Sequence, residues 1–301
     1  MVSLKAHTVS FVLLILTSIV RNASCFSNFK TWSRAISRIY QSSSSTVSAF
    51  SSATQHHQLS RVEAQSSLDD KLMPKKYYGN RIGLGRDAQG IDGGTALKPD
   101  DPRLSMTYAE FPLSSFDILV DLGLKYLPSS QDRPGITTFV DIGSGCGRLI
   151  LYLAMSRFSP SDDAGWNIHG IEISNLLHGE AIQYLEEAVK QNIFSFEEGG
   201  SNSLSLHLGA AEDSSHLFGR ADCIFAYSTA FSAKSFSPEL GALLLDPEWS
   251  SLLSESCKPG CVAITTDRAL DPACGWELVD RLDVENQEVF GSTGYIHILR
   301  Q

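Results

Sequence analysis

The chain has 301 residues, 43% of them hydrophobic, and a formal net charge of −10, so it can bury a full core and is not a basic nucleic-acid binder. The charge is uneven: all 34 acidic residues and 18 of the 24 basic ones lie after Val62, which leaves residues 63–301 at −16. Such a surface is repelled by DNA phosphates, so DNA binding is not expected.

In chain order, Lys5 precedes an apolar run from Val9 to Val20, and Arg21-Asn22-Ala23-Ser24-Cys25 follows. The run is shorter than the ~20 apolar residues a membrane span needs, and the small residues after it predict a signal peptide over 1–25. Residues 26–66 are serine-rich, carry Lys30, Arg34, Arg38 and Arg61, and hold no acid before Glu63, the composition of a transit segment. The junction Ala23-Ser24-Cys25-Phe26 resembles the bipartite presequences of algae with secondary plastids. That resemblance implies a plastid address, with the secretory pathway as the alternative, and no membrane attachment once the presequence is gone. Six cysteines at this length make no disulfide framework, and the absence of a CxxC pair gives no reason to expect a metal.

Residues 67–104 are polar and rich in Gly, Asp and Pro and predict a linker, so that the folded domain runs over 105–301. Phe116, Ile118, Leu119, Leu122 and Tyr126 are spaced for a helix over 115–127. Strands follow over 137–142, 167–173, 204–208, 222–227 and 261–265. Helices are predicted over 148–158, 175–192 and 247–255, and two strands over 276–284 and 294–299 close the chain as a hairpin. This alternation predicts an α/β, Rossmann-like, mostly parallel seven-stranded sheet with a C-terminal antiparallel hairpin and helices on both faces.

The strongest local signal is Asp141-x-Gly143-Ser144-Gly145-x-Gly147, placed directly between a buried strand and a helix. In a doubly wound sheet this turn lies where a ligand approaches the backbone, and glycine removes the Cβ that would block it. A dinucleotide fingerprint puts its third glycine three residues after the second, where this chain has Arg148. An acid at 141 would repel a pyrophosphate but can hold a cationic amino-acid group. Glu172, at the end of the next strand, is the carboxylate for a ribose hydroxyl pair. Glu212 or Asp213 stands where an adenine amino group would be met. The fourth strand runs into Tyr227-Ser228-Thr229-Ala230-Phe231, where a methyl acceptor would face its donor; Tyr227 and Phe231 are the candidate catalytic residues.

From Thr107 to His297 the chain resembles the non-SET histone-lysine methyltransferases named for disruption of telomeric silencing, which are class I S-adenosylmethionine-dependent enzymes. The resemblance rests on Thr107-Tyr108-Ala109-Glu110 with Phe116-Asp117-Ile118-Leu119, on Phe139 to Gly147, on Gly170-Ile171-Glu172, on Lys258-Pro259-Gly260 and on Tyr295-Ile296-His297. It implies S-adenosylmethionine as cofactor, with Tyr108 and Glu110 closing over it and Glu172 on its ribose. On the acceptor side the chain departs: Tyr227-Ser228-Thr229-Ala230-Phe231 replaces a segment with two asparagines, and Gly294 stands where the family has a channel tyrosine. The expected function is therefore methyl transfer to an amine, a protein lysine outside the nucleosome. A small-molecule methyltransferase and a non-catalytic cofactor-binding module are the alternatives. The oligomeric state is left open.

Overall fold

The computed structural model describes residues 49–50, 59–90, 107–128, 135–158, 165–193 and 201–300. The expected signal peptide and most of the serine-rich segment lie outside the described residues. Among those described, no helix is long and apolar enough to cross a membrane.

The first strands are β1 (Ala49–Phe50), β2 (Ile136–Ile142), β3 (Gly165–Glu172), β4 (Ser203–Leu208) and β5 (Cys223–Ala226). They are followed by β8 (Val262–Thr266), β9 (Trp276–Val284) and β10 (Ser292–Leu299), after a separate hairpin of β6 (Ala233–Ser237) and β7 (Ala242–Leu245). The main sheet has the order β1-β4-β3-β2-β5-β8-β10-β9. Pairing is parallel from β4 through β8, while β10 runs antiparallel to both β8 and β9. Outside the short edge strand β1, this is the expected seven-stranded sheet with its closing hairpin. Six of the seven residues of β2 are buried, as a central strand covered on both faces requires.

The helices are α1 (Arg61–Ser66), α2 (Tyr78–Ala88), α3 (Leu113–Leu124), α4 (Arg148–Arg157), α5 (Asn175–Lys190), α6 (Ser215–Phe218) and α7 (Pro247–Ser256). Local chemistry fixes several of their starts. Ser174 Oγ accepts the Leu177 N–H at 3.3 Å to cap α5, and Asp246 caps α7 with Pro247 in its first turn. Helix α4 is buried along nearly its whole length between the sheet and the N-terminal helices.

The main departure from the sequence reading is at residues 60–90. Where a linker is expected from 67, α1 continues as a π-helical turn over Ser67–Leu72, and α2 follows. Ala64, Leu68 and Leu72 recur at a four-residue interval and bury against the core, with Met73 beside them. The charged and polar residues between these positions masked the pattern, and the glycines of α2 masked the second helix. Gly85 is not a turn residue: a Cβ there would lie 2.4 Å from Tyr108 Cβ, so the missing side chain lets the 107–111 segment close against the helix. Ser60 and Glu63 form a capping box at the head of α1. Arg61 then pairs with Asp117 at 2.8 Å and Asp121 at 2.7 Å, the same carboxylates that Arg157 holds from α4. In α3, Ile118 faces solvent at 50% exposure, and the buried stripe is Leu113, Phe116, Leu119 and Val120.

Candidate functional site

The glycine turn leaves β2 at its carboxyl end, with Gly143, Gly145 and Gly147 at φ of 75°, 55° and 78°. Only glycine takes such values without strain, and Gly147 in the left-handed region starts α4 directly. The amides of Gly143 and Ser144 both donate to Ile171 O at 2.9 Å, and Gly147 N donates to Ser144 O. Gly145 N donates to Glu172 Oε2 at 2.8 Å. With these N–H groups spent inside the protein and two carboxylates nearby, the turn is not a pyrophosphate cradle.

Those two carboxylates define the electrostatics. Asp141 is buried, and its Oδ2 has no hydrogen-bond partner. Burial, with the neighbouring charge of Glu172 adding to it, pushes its carboxyl up to about 8. Glu172 is raised by burial against the opposing pull of backbone N–H groups of Ser174, Gly145 and Ile173. Its two oxygens thus brace the turn, Oε1 accepting Ser174 N at 2.7 Å, and a carboxylate has further lone pairs for a ribose hydroxyl. Ser144 Oγ is a second buried polar atom without a partner. A buried carboxyl with an unpartnered oxygen in a glycine-lined turn fits a cationic ligand group, which would favour its ionised form and satisfy that oxygen.

Tyr108 lies on this turn: a Cβ at Gly145 would stand 2.7 Å from its Cε2. Its hydroxyl donates to Glu110 Oε1 at 2.9 Å. Glu110 itself is held by Arg81, which reaches both oxygens, and by Arg148 Nε at 3.3 Å; Arg148 in turn pairs with Asp69 at 2.8 Å. Burial alone would lower the pKa of Arg81, and Glu110 outweighs it, so the guanidinium stays charged. The expected role of Glu110 therefore changes: its carboxylate anchors the 107–111 segment to α2 and α4, and Tyr108 supplies the surface over the turn. Arg81 and Asp69 carry no local motif and were missed, since their partners lie 29 and 79 residues away. Beyond β4, Glu212 is half-buried and Asp213 exposed on a short 3-10 turn, which makes Glu212 the better-placed carboxylate of the two.

On the acceptor side, Tyr227 is half-buried, with its ring 5.0 Å from that of Phe111. Its hydroxyl accepts from Asn286 Nδ2 at 2.9 Å, and burial raises its pKa. Phe231 stacks on Trp249 at 5.0 Å and reaches back to Gly143, where a Cβ would lie 3.9 Å from its Cζ. Tyr227 and Phe231 therefore bracket one short segment, which meets the glycine turn through Phe231. Two positions carried by the resemblance take no part in it. A Cβ at Gly294 would lie 2.3 Å from Leu119 Cδ2, so that position packs against α3 and lines no channel. His297 is fully buried, accepts the Leu270 N–H, and is pushed down to about 3 by burial; it is a core residue.

Strand order, the antiparallel last strand and the turn after the central strand together define the Rossmann-like fold of class I methyltransferases. No protein-family model matches the sequence, and no curated protein matches it. Among solved structures it is similar to a magnesium protoporphyrin IX methyltransferase from Synechocystis with bound S-adenosylmethionine. There the identity is 12%, the coverage 82% of this chain and 100% of that one, and the TM-score 0.41. It is also similar to an rRNA methyltransferase from Streptomyces viridochromogenes, at 13% identity, 70% and 91% coverage and a TM-score of 0.42. A putative class I S-adenosylmethionine-dependent methyltransferase from Listeria monocytogenes matches at 11% identity, 79% and 72% coverage and a TM-score of 0.40. The strand order and register, not these values, carry the fold.

Proposed function

We propose that the protein is an S-adenosylmethionine-dependent methyltransferase acting on an amine, the side chain of a protein lysine. The observation that carries the donor assignment is the partnerless buried Oδ2 of Asp141 beside a glycine turn whose amides are already spent. Asp141 would hold the donor's ammonium, Glu172 its ribose and Glu212 its adenine, with Tyr108 covering the turn. The donor supplies an activated methyl group; the chain's own residues bind it, exclude water and align the acceptor, and positioning supplies most of the rate.

The choice of an amine rests on what the wall at 227–231 lacks. The carboxylate bonded into it, Asp267, is spent on three donors, namely Thr293 N at 2.8 Å and the hydroxyls of Ser292 and Thr229. Arg268 is spent on the carbonyls of Ser228 and Thr229. A hydroxyl acceptor needs a base as it attacks, whereas a neutral amine brings its own lone pair, and aromatic walls favour the neutral form. The motifs that resemble the histone-lysine enzymes support the same nucleophile, but the −16 charge of residues 63–301 disfavours a nucleosome.

Calorimetry of the purified protein with S-adenosylmethionine tests the first step, and absence of binding refutes it. Labelled donor added to a plastid protein extract and, in parallel, to nucleosomes tests the second. Label in extract protein and none in nucleosomes is expected; label confined to small molecules would overturn the lysine reading. We also propose a plastid address, tested by a fluorescent fusion of residues 1–66. The fusion should enter the plastid and Phe26→Ala should keep it out; secretion of the unaltered fusion would refute this.

A further inference from the structure

We infer that Asn286 is a positioning residue that fixes the direction of the Tyr227 hydroxyl, presenting its oxygen to the methyl acceptor as a hydrogen-bond acceptor. The inference rests on the reading of Tyr227 as an acceptor-side group. Asn286 lies in the turn between β9 and β10, 2% exposed, although the turn around it is largely open to solvent. A buried amide needs all its groups satisfied, and here each bond follows from the one before.

The chain starts at two backbone groups. Thr293 N donates to Asp267 Oδ1, which anchors that carboxylate, and Ser292 Oγ donates to Asp267 Oδ2 at 3.0 Å. A carboxylate only accepts, so the single Ser292 proton is committed there and Ser292 Oγ must accept from its other neighbour, Asn286 Nδ2, at 2.8 Å. At the other end, Glu288 N donates to Asn286 Oδ1 at 3.1 Å, which identifies the amide oxygen and forbids the flipped amide. The second Nδ2 proton then has one destination, the Tyr227 hydroxyl oxygen at 2.9 Å. The tyrosine is left with an oxygen that already receives one proton and an O–H that must point away from Asn286, to Thr229 Oγ1, which accepts it because its own proton is committed to Asp267 Oδ2. One lone pair remains. An amine whose N–H points into that lone pair keeps its nitrogen lone pair for the methyl group, whereas a tyrosine donating to the nitrogen would block it. The polarity therefore matters, and Asn286 sets it from the far side of the site.

Phenol titration reads this polarity directly. Burial, the largest influence, and the carboxylates of Asp267 and Glu288 raise the Tyr227 phenol, while the amide of Asn286 pulls it back toward the phenolate. The experiment uses the full chain with fluorotyrosine incorporated, the ring fluorine bringing the phenols into range, and 19F resonances followed against pH. The Tyr227 resonance is the one missing in Tyr227→Phe. Asn286→Leu should shift its midpoint upward, because the phenolate loses an amide proton. Asn286→Asp should shift it further upward, because a carboxylate now faces the phenolate and reverses the bond. A midpoint that falls in both variants would mean that the turn has unpacked and the tyrosine is solvated, and an unmoved midpoint would mean that no such bond forms; either result overturns the inference. Calorimetry with S-adenosylmethionine on the same samples should give equal affinities in all of them. Failure of the unsubstituted protein to bind would defeat the methyltransferase reading while leaving the hydrogen-bond assignment standing on the titration alone.

Discussion

The two halves of the candidate site are held in different ways. Around the donor turn, the shape of residues 143–147 is set by main chain: amides of Gly143 and Ser144 on Ile171 O, Gly147 N on Ser144 O, and a carboxylate bracing Gly145 and Ser174. On the acceptor side, the wall at 227–231 is set by side chains from three later stretches: Thr266, Asp267 and Arg268 at the end of β8 and just beyond it, Asn286 in the last turn, and Ser292 at the start of β10. Main-chain geometry tolerates changes of side chain but not the arrival of a Cβ. A side-chain network tolerates backbone variation but fails when one donor or acceptor is removed, because the remaining buried groups are then unsatisfied. Donor recognition can therefore persist while acceptor choice changes by a few substitutions, and the two halves should respond to different kinds of mutation.

The largest effect expected is that of Gly145→Val. The residue sits at φ +55°, where a β-branched side chain is strained, and its Cβ would meet Tyr108 at 2.7 Å. Left-handed strain alone costs ~1–3 kcal/mol, and displacing Tyr108 removes the cover of the turn, so S-adenosylmethionine affinity should fall by about 100-fold or more. Thr229→Val, which cuts the acceptor network at Asp267, should leave that affinity unchanged. Calorimetry on both variants decides whether the halves are separable; equal losses would show that they are not.

The same contrast explains what could be read from the sequence. Strands, helices α3 to α5 and the glycine turn follow from patterns within a few residues, as does Glu172 at a strand end, and all are found within a few residues of their expected bounds. Hairpin β6–β7 was not anticipated: its strands are five- and four-residue runs that pair with each other and, through β7, with Ala269 alone among the described residues, and Phe236 and Leu243 face solvent, so no buried alternation marks them. Helix α1 falls inside the serine-rich segment expected to be a transit sequence, and α2 was hidden by its glycines, of which Gly85 makes the contact with Tyr108. Asn286 is 59 residues from Tyr227 and Arg81 is 29 from Glu110, distances over which one sequence gives no pairing signal. Gly294 misled in the opposite direction, since the resemblance supplied a channel position that packing against Leu119 denies.

A second, smaller effect should fall on stability. Glu110→Gln leaves Arg81, 1% exposed, and the largely buried Arg148 facing a neutral amide. Removing one partner of a buried ion pair typically costs ~3–5 kcal/mol, and the remaining Asp69–Arg148 pair places this variant at the lower end, about 3 kcal/mol by urea unfolding. Asp267→Asn, in a half-exposed acceptor network where asparagine also tolerates the left-handed backbone, should cost about 1 kcal/mol. If the order is reversed, the N-terminal helices are a detachable cover and not part of the donor half.

The smallest effect is a proton. In the donor-free protein Asp141 stays protonated up to about 8, because burial and the charge of Glu172 oppose its ionisation. In the unfolded chain the same carboxyl ionises near pH ~4, so between these values the folded state binds the extra proton and loses stability as pH rises. A ligand ammonium against Oδ2 favours the carboxylate and pulls the group back toward its ordinary range. Binding of S-adenosylmethionine near neutral pH should therefore release close to one proton. Affinity should rise with pH by at most about tenfold per unit and level off above about 8. Calorimetry in two buffers of different ionisation enthalpy measures the proton directly, and Asp141→Asn should remove both the release and the pH dependence while weakening binding. Asn286→Leu should remove neither, since it acts on the far wall. Release that survives in Asp141→Asn would put the titrating group elsewhere, and the donor half would then owe its selectivity to the shape of the glycine turn alone.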